Sequence, residues 1–156
     1  DDLKVIDALT DNQTVARESW ADGDHLVLNG SAGTGKTFTA LYLALQDVLD
    51  KGTPWENIHL IRSIVPTREM GFLPGTAEEK LLPFVTVDSR IVLCGDYYQS
   101  DFVKNADKNG LQDFLKILEL MKNFTTVEFG WQDIVRSDFV RDYIMTKEMM
   151  LENKLH

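Results

Sequence analysis

Eight consecutive residues, Gly30-Ser31-Ala32-Gly33-Thr34-Gly35-Lys36-Thr37, have the types and the spacing to hold a chain of phosphates. The glycines let the backbone curl so that several N–H groups point inward. A helix that follows adds the positive end of its dipole. The Lys36 ammonium can reach the two outer phosphates of a nucleoside triphosphate, and the Thr37 hydroxyl can ligate Mg²⁺. Phe38 comes next and belongs to the same expected set. A chance glycine turn would share the letters but not the neighbours. Here an apolar run, His25-Leu26-Val27-Leu28, leads into the loop, and an apolar-faced stretch leads out of it.

Other residues could complete a site around such a loop. Asp96 ends the apolar run Ile91-Val92-Leu93-Cys94-Gly95. Strand ends in parallel sheets face the ligand crevice, so Asp96 is a candidate to orient a metal; a polar turn after a strand is the plainer alternative. Gln99, three residues on, suits a sensor of the terminal phosphate or of water. Gln13 lies in Thr10-Asp11-Asn12-Gln13, which has the form of a capping box. Its amide both donates and accepts, which also matches the edge of adenine. Arg136 precedes the last predicted helix and is either an arginine finger or phosphate sensor, or a surface charge. Arg62 and Arg68 are balanced in the same way between a phosphate contact and solvent. Trp55, Trp131, Tyr97 and Tyr98 could stack on bases, although core packing explains most of them better.

The elements that must position these residues alternate. A helix is expected from the Thr10 cap to about Trp20, then a strand over 25–29, the glycine loop, and a helix over 38–50. That helix should bury Ala40, Leu41, Ala44, Leu45, Val48 and Leu49, and stop at Gly52. Strands are expected over 58–61, 90–94 and 125–129, with a loop-rich stretch over 66–83. A helix over 109–121 should bury Leu111, Phe114, Leu115, Leu118 and Met121. A last helix opens at Ser137-Asp138 and carries Phe139, Val140, Tyr143 and Ile144. Alternation of this kind predicts an α/β fold with a largely parallel sheet flanked by helices.

The 156 residues fit one domain, with 44% hydrophobic and 26% charged residues, as in soluble globular chains. No apolar run reaches the roughly 20 residues needed to span a bilayer, and no signal peptide opens the chain. A single cysteine, Cys94, is expected to be a small core residue in a reducing compartment, the cytoplasm. A net charge of −9 does not advertise nucleic-acid binding, although a local basic path is compatible with it.

The phosphate loop, Gly71-Phe72-Leu73-Pro74-Gly75 with Glu79-Lys80, Gly95-Asp96-Tyr97-Tyr98-Gln99 and Asp133-Ile134-Val135-Arg136-Ser137 together resemble the PhoH family. The Thr10-Asp11-Asn12-Gln13 start resembles its phage-type members, whose setting would be the host cytoplasm. The resemblance implies a P-loop ATPase with a RecA-like fold related to superfamily 1 helicase cores. ATP and Mg²⁺ would be its ligands, and RNA or single-stranded nucleic acid its partner. Ring-like homo-oligomers are implied as well. Position by position, Gln13 would read adenine, Lys36 and Thr37 would hold phosphates and Mg²⁺, Gln99 would lie near the γ-phosphate with Gly95 and Asp96, and Arg136 would be the late arginine.

One departure from the family pattern is large. The family carries a strand ending in Asp-Glu between the Gly71-Phe72-Leu73-Pro74-Gly75 segment and the Asp96 strand. Here Leu81-Leu82-Pro83-Phe84 runs almost directly into Asp88-Ser89-Arg90. A segment is therefore expected to be absent between about 82 and 89, and with it the general base and the main metal-orienting acid. A real deletion is the rival reading and would leave nucleotide binding with weak hydrolysis. An ATPase acting on nucleic acid is the leading expectation, ahead of an NTP-binding regulatory module and a small-molecule kinase.

Overall fold

The computed structural model describes residues 3–61, 83, 85–96 and 108–153. At its centre is β1 (His25–Gly30), with β2 (Val92–Gly95) on one side and β3 (Phe124–Phe129) on the other, both parallel to it. Register aligns Asn29 with Gly95 and with Glu128, and Gly30 with Phe129, so the three strands end together. In β1 the core of Leu26, Val27 and Leu28 is buried without alternation. A central parallel strand covered on both faces has that signature.

Helices supply the two covers. Against one face pack α1 (Asp11–Ala21) and α2 (Lys36–Leu49), where Ala16, Trp20 and Leu43 meet Leu26, Leu28, Val127 and Phe129. Against the other packs α3 (Lys108–Leu120), where Leu115 and Leu118 meet Val27. The amphipathic repeat in α3 produces this: Leu115 and Leu118 are three apart and lie on one face. A three-residue turn (Trp131–Asp133) and α4 (Asp138–Asn153) end the described chain. No helix among the described residues is long and apolar enough to cross a membrane.

The expected strand over 58–61 does not form. Ile58, Leu60 and Ile61 are 38%, 67% and 43% exposed and join no ladder among the described residues. A short apolar run specifies only a tendency to be buried; strand preference depends on the neighbours a side chain packs against, and these three side chains stay exposed. The buried face of α2 differs from expectation too. Lys36, Thr39, Tyr42 and Leu43 are buried, whereas Leu41, Leu45 and Leu49 are exposed. Gly52 is not a left-handed stop: α2 ends at Asp50 with an extended backbone, and the Asp50 carboxylate accepts the Gly52 N–H at 2.8 Å. In α3, Met121 falls past the helix end and is exposed.

One polar cluster ties the ends of the sheet opposite the glycine loop. The Arg90 guanidinium donates to Asp47 Oδ2 at 3.1 Å and to the carbonyls of Trp20 at 2.6 Å and Asp24 at 3.0 Å. It lies 3.5 Å from the centre of the Trp20 ring, whose indole N–H donates to the same Asp47 oxygen at 2.9 Å. Trp55, a candidate for base stacking, is engaged at this cluster: its N–H donates to the Asp88 carbonyl at 2.7 Å, and its ring lies 5.3 Å from Arg90.

Candidate phosphate-binding site

Leaving β1, the chain has nowhere to put a side chain. Gly30 has φ +146°, and a Cβ there would lie 2.1 Å from the Phe129 carbonyl oxygen. The loop then turns on Gly33 and Gly35, both with positive φ near +85°. Gly35 is the N-cap of α2 and brings no side chain to it. The first-turn N–H groups of this 14-residue helix therefore lack a side-chain acceptor, and no acidic residue sits in that turn. Such a terminus binds anions through its N–H groups and its dipole.

Lys36 is folded back over this loop. It is 9% exposed, and its ammonium donates to the Ser31 carbonyl at 2.5 Å and to Thr34 Oγ1 at 3.2 Å. Thr34 in turn donates to the Ser31 carbonyl at 2.8 Å. Burial holds the Lys36 ammonium below its ordinary range, while the Asp96 and Glu148 carboxylates act the other way. A partly desolvated ammonium over an uncapped helix start favours a multiply charged anion.

The loop borders a cavity of about 500 Å³. Gly30, Ala32, Gly33, Gly35, Lys36, Thr37 and Phe38 line it from the β1–α2 side, and Cys94, Gly95 and Asp96 from the end of β2. The expected crevice at the strand ends is thus present, and Asp96 belongs to it. Thr37 and Phe38 are exposed to it, whereas Thr34 is buried beneath the loop and Ser31 lends its carbonyl to Lys36. Burial pushes the Cys94 thiol up to about 11, against the opposing pull of Lys36, so it is a neutral wall of the cavity.

Gln13 is also brought to the loop. Its side chain is buried, its Oε1 accepts the Leu9 N–H at 2.8 Å, and its Nε2 lies 3.0 Å from where a Cβ on Gly35 would be. Its own N–H donates to Thr10 Oγ1 at 3.3 Å, so half of a capping box is present and the side chain is shifted by one residue from the standard partner. Neither Gln13 nor Arg136 is among the residues that line the cavity: Gln13 is buried behind the loop at Gly35, and Arg136 is exposed. Gln99, Tyr97, Tyr98, Arg62, Arg68, the Gly71-Phe72-Leu73-Pro74-Gly75 segment and Glu79-Lys80 lie outside the described residues.

Two neighbours of the loop carried no sequence signal that placed them there. Ile144 of α4 reaches within 3.4 Å of the Cβ position at Gly33. One turn further, Glu148 accepts a hydrogen bond from the Trp131 indole and acts electrostatically on Lys36. Residues four apart on a helix share a face, but only the fold brings that face to the loop.

Comparison with known proteins agrees with this geometry. The family model described as PhoH-like protein matches residues 5–87 and 85–148. The chain belongs to the PhoH-like family. It has the α/β P-loop NTPase fold of that family, and the family is one of nucleotide-binding proteins of ATPase type. The chain is also similar to Protein PhoH2 of Bacillus subtilis (strain 168), with 43% identity over 61 residues. That similarity covers 38% of this chain and 14% of PhoH2. No solved structure matches the chain. Within the PhoH-like assignment, the two matched stretches meet at 85–87, just ahead of β2.

Proposed function

We propose that this PhoH-like chain binds and hydrolyses ATP at the loop from Gly30 to Thr37. The observation that carries the reading is the uncapped start of α2, with the buried Lys36 ammonium folded above it beside an open cavity. In binding, the α- and β-phosphates take the N–H groups of the loop. Lys36 exchanges its contacts to Ser31 and Thr34 for the outer phosphates, where it offsets charge that builds as the terminal phosphoryl group transfers to water. The Thr37 hydroxyl and the Asp96 carboxylate, both hard oxygen donors lining the cavity, fit Mg²⁺ carried in by the nucleotide. When bound, Mg²⁺ would supply neutralisation of the phosphate charge.

Arg136 is exposed just ahead of α4, whose Phe139 and Tyr143 are exposed as well. We assign it to a neighbouring copy's site in a ring-like homo-oligomer, and RNA or single-stranded nucleic acid to the partner moved by turnover, in the manner of a helicase. A second reading, nucleotide binding with little hydrolysis, is favoured by the absence of the family's Asp-Glu strand ahead of Asp88. Steady-state ATP hydrolysis with and without RNA separates the two. Stimulation by RNA and its loss in Lys36→Ala support the first; tight binding of ATP with no turnover in either condition supports the second.

A further inference from the structure

In the segment Asp133-Ile134-Val135-Arg136-Ser137 the sequence draws notice to the arginine, but the structure gives Asp133 the more constrained role. Its side chain is fully buried. Oδ2 accepts two hydrogen bonds at 2.8 Å, one from the Gly130 N–H and one from Asn12 Nδ2 in the first turn of α1. Oδ1 is buried with no hydrogen-bond partner among the described residues. Burying a carboxylate is costly, and closing a three-residue turn does not require one. What Asp133 adds is a charged, short hydrogen bond across 121 residues of sequence to Asn12.

Asn12 is followed by Gln13, whose side chain is packed between Leu9 and the phosphate loop. Because Oε1 accepts the Leu9 N–H, the NH₂ end of that amide is directed to Gly35. An amide held in this sense can donate to N7 of adenine while its oxygen accepts from N6. Guanine offers an acceptor, O6, where adenine offers the N6 donor, so the same amide meets it with two oxygens facing. A continuous run of contacts thus joins the end of β3 through Asp133, Asn12 and Gln13 to the loop.

We propose that Asp133 is a positioning residue for base recognition: through Asn12 it fixes the first turn of α1 and thereby the Gln13 amide beside the phosphate loop. The inference rests on the reading that the loop binds ATP. Equilibrium binding of Mg-ATP and Mg-GTP to the whole chain tests it, with Asp133→Ala, Asn12→Ala, the double variant and Asp133→Asn beside the wild type. The wild type prefers ATP. Each alanine variant reduces that preference about tenfold, the worth of one good hydrogen bond, through weaker ATP binding at nearly constant GTP binding. The double variant loses no more than either single one, because both remove the same bond. Asp133→Asn keeps an acceptor oxygen for both donors and retains the preference.

An unchanged ATP to GTP ratio in Asn12→Ala overturns the proposal, and this half-buried site serves even where Asp133→Ala does not fold. Equal loss of both nucleotides in Asp133→Ala, or a wild type that binds ATP and GTP equally well, overturns it too. A wild type that binds neither nucleotide removes instead the reading on which the proposal rests.

Discussion

Replacing Gly30 with alanine should unfold the site it introduces. The new Cβ would sit 2.1 Å from the Phe129 carbonyl oxygen, 2.9 Å from its carbon and 3.0 Å from the Phe129 Cβ. A carbon and a carbonyl oxygen rest at about 3.3 Å or more, so the strands would have to part by about 1 Å. Neither partner can yield cheaply, because Gly30 and Phe129 are paired in the β1–β3 ladder and Phe129 is in the core. Overpacking of this kind costs about 1–3 kcal/mol, and holding an alanine at φ +146° adds about 1–3 kcal/mol. The sum is centred on about 4 kcal/mol. For a domain of this size that lowers Tm by about 8–16 °C. Thermal unfolding followed by circular dichroism, with and without Mg-ATP, measures it. A Gly30→Ala chain with the wild-type Tm and wild-type ATP affinity would refute the argument that this glycine is demanded by the close approach of β3.

Three further outcomes follow from other contacts. Arg90→Ala removes the guanidinium shared by Asp47, Trp20 and Asp24 and should cost about 2–4 kcal/mol, read as a lower urea midpoint, with ATP affinity at 10 °C unchanged because the cluster lies at the far end of the strands. His25 should make stability fall as pH drops: burial, aided by Arg90 and opposed in part by Asp24, holds its pKa below the ordinary 6.5, and its Nδ1 accepts the Ile91 N–H at 3.1 Å. With the folded pKa depressed, the unfolded chain binds the extra proton first, so the contribution is complete above pH 6.5 and is lost on the way down through the folded value; denaturant titrations at pH 7.5 and 5.5 should differ less in His25→Gln. Cys94, with its thiol pushed up to about 11, should react slowly with iodoacetamide at pH 8 until denaturant is added; fast labelling of the native chain would contradict its place in the wall of the cavity.

The sequence made the geometry of the glycine loop legible because it is written in local chemistry: glycines at positive-φ positions, a lysine at the helix start and an apolar strand ahead of it. The strands ending at Gly30, Gly95 and Phe129 were legible for a related reason, since short β-branched and aliphatic runs alternate with helical repeats. The buried face of α2 was not. Apolar residues surround that helix, so Leu41, Leu45 and Leu49 give no weaker periodic signal than the residues that are in fact buried. Its interior is set by the loop, which buries Lys36 and carries Thr39 and Leu43 inward with it. Gln13 was ambiguous between a cap and a ligand contact, and the structure gives its oxygen one role and its nitrogen another position. Asp133 was visible only as the start of a motif, and its contact to Asn12, like that of Glu148 to Trp131, could not be read, because the partners are 121 and 17 residues away and no spacing rule links them.

Calorimetric titration of Mg-ATP into the chain and into Lys36→Ala tests the central claim most directly. The account predicts one nucleotide bound per chain by the wild type, and at least a tenfold weaker affinity in the variant, from the loss of one or more charge-assisted hydrogen bonds of about 1.5–3 kcal/mol each. Saturable binding of equal strength in both proteins, or no binding by the wild type, would contradict it.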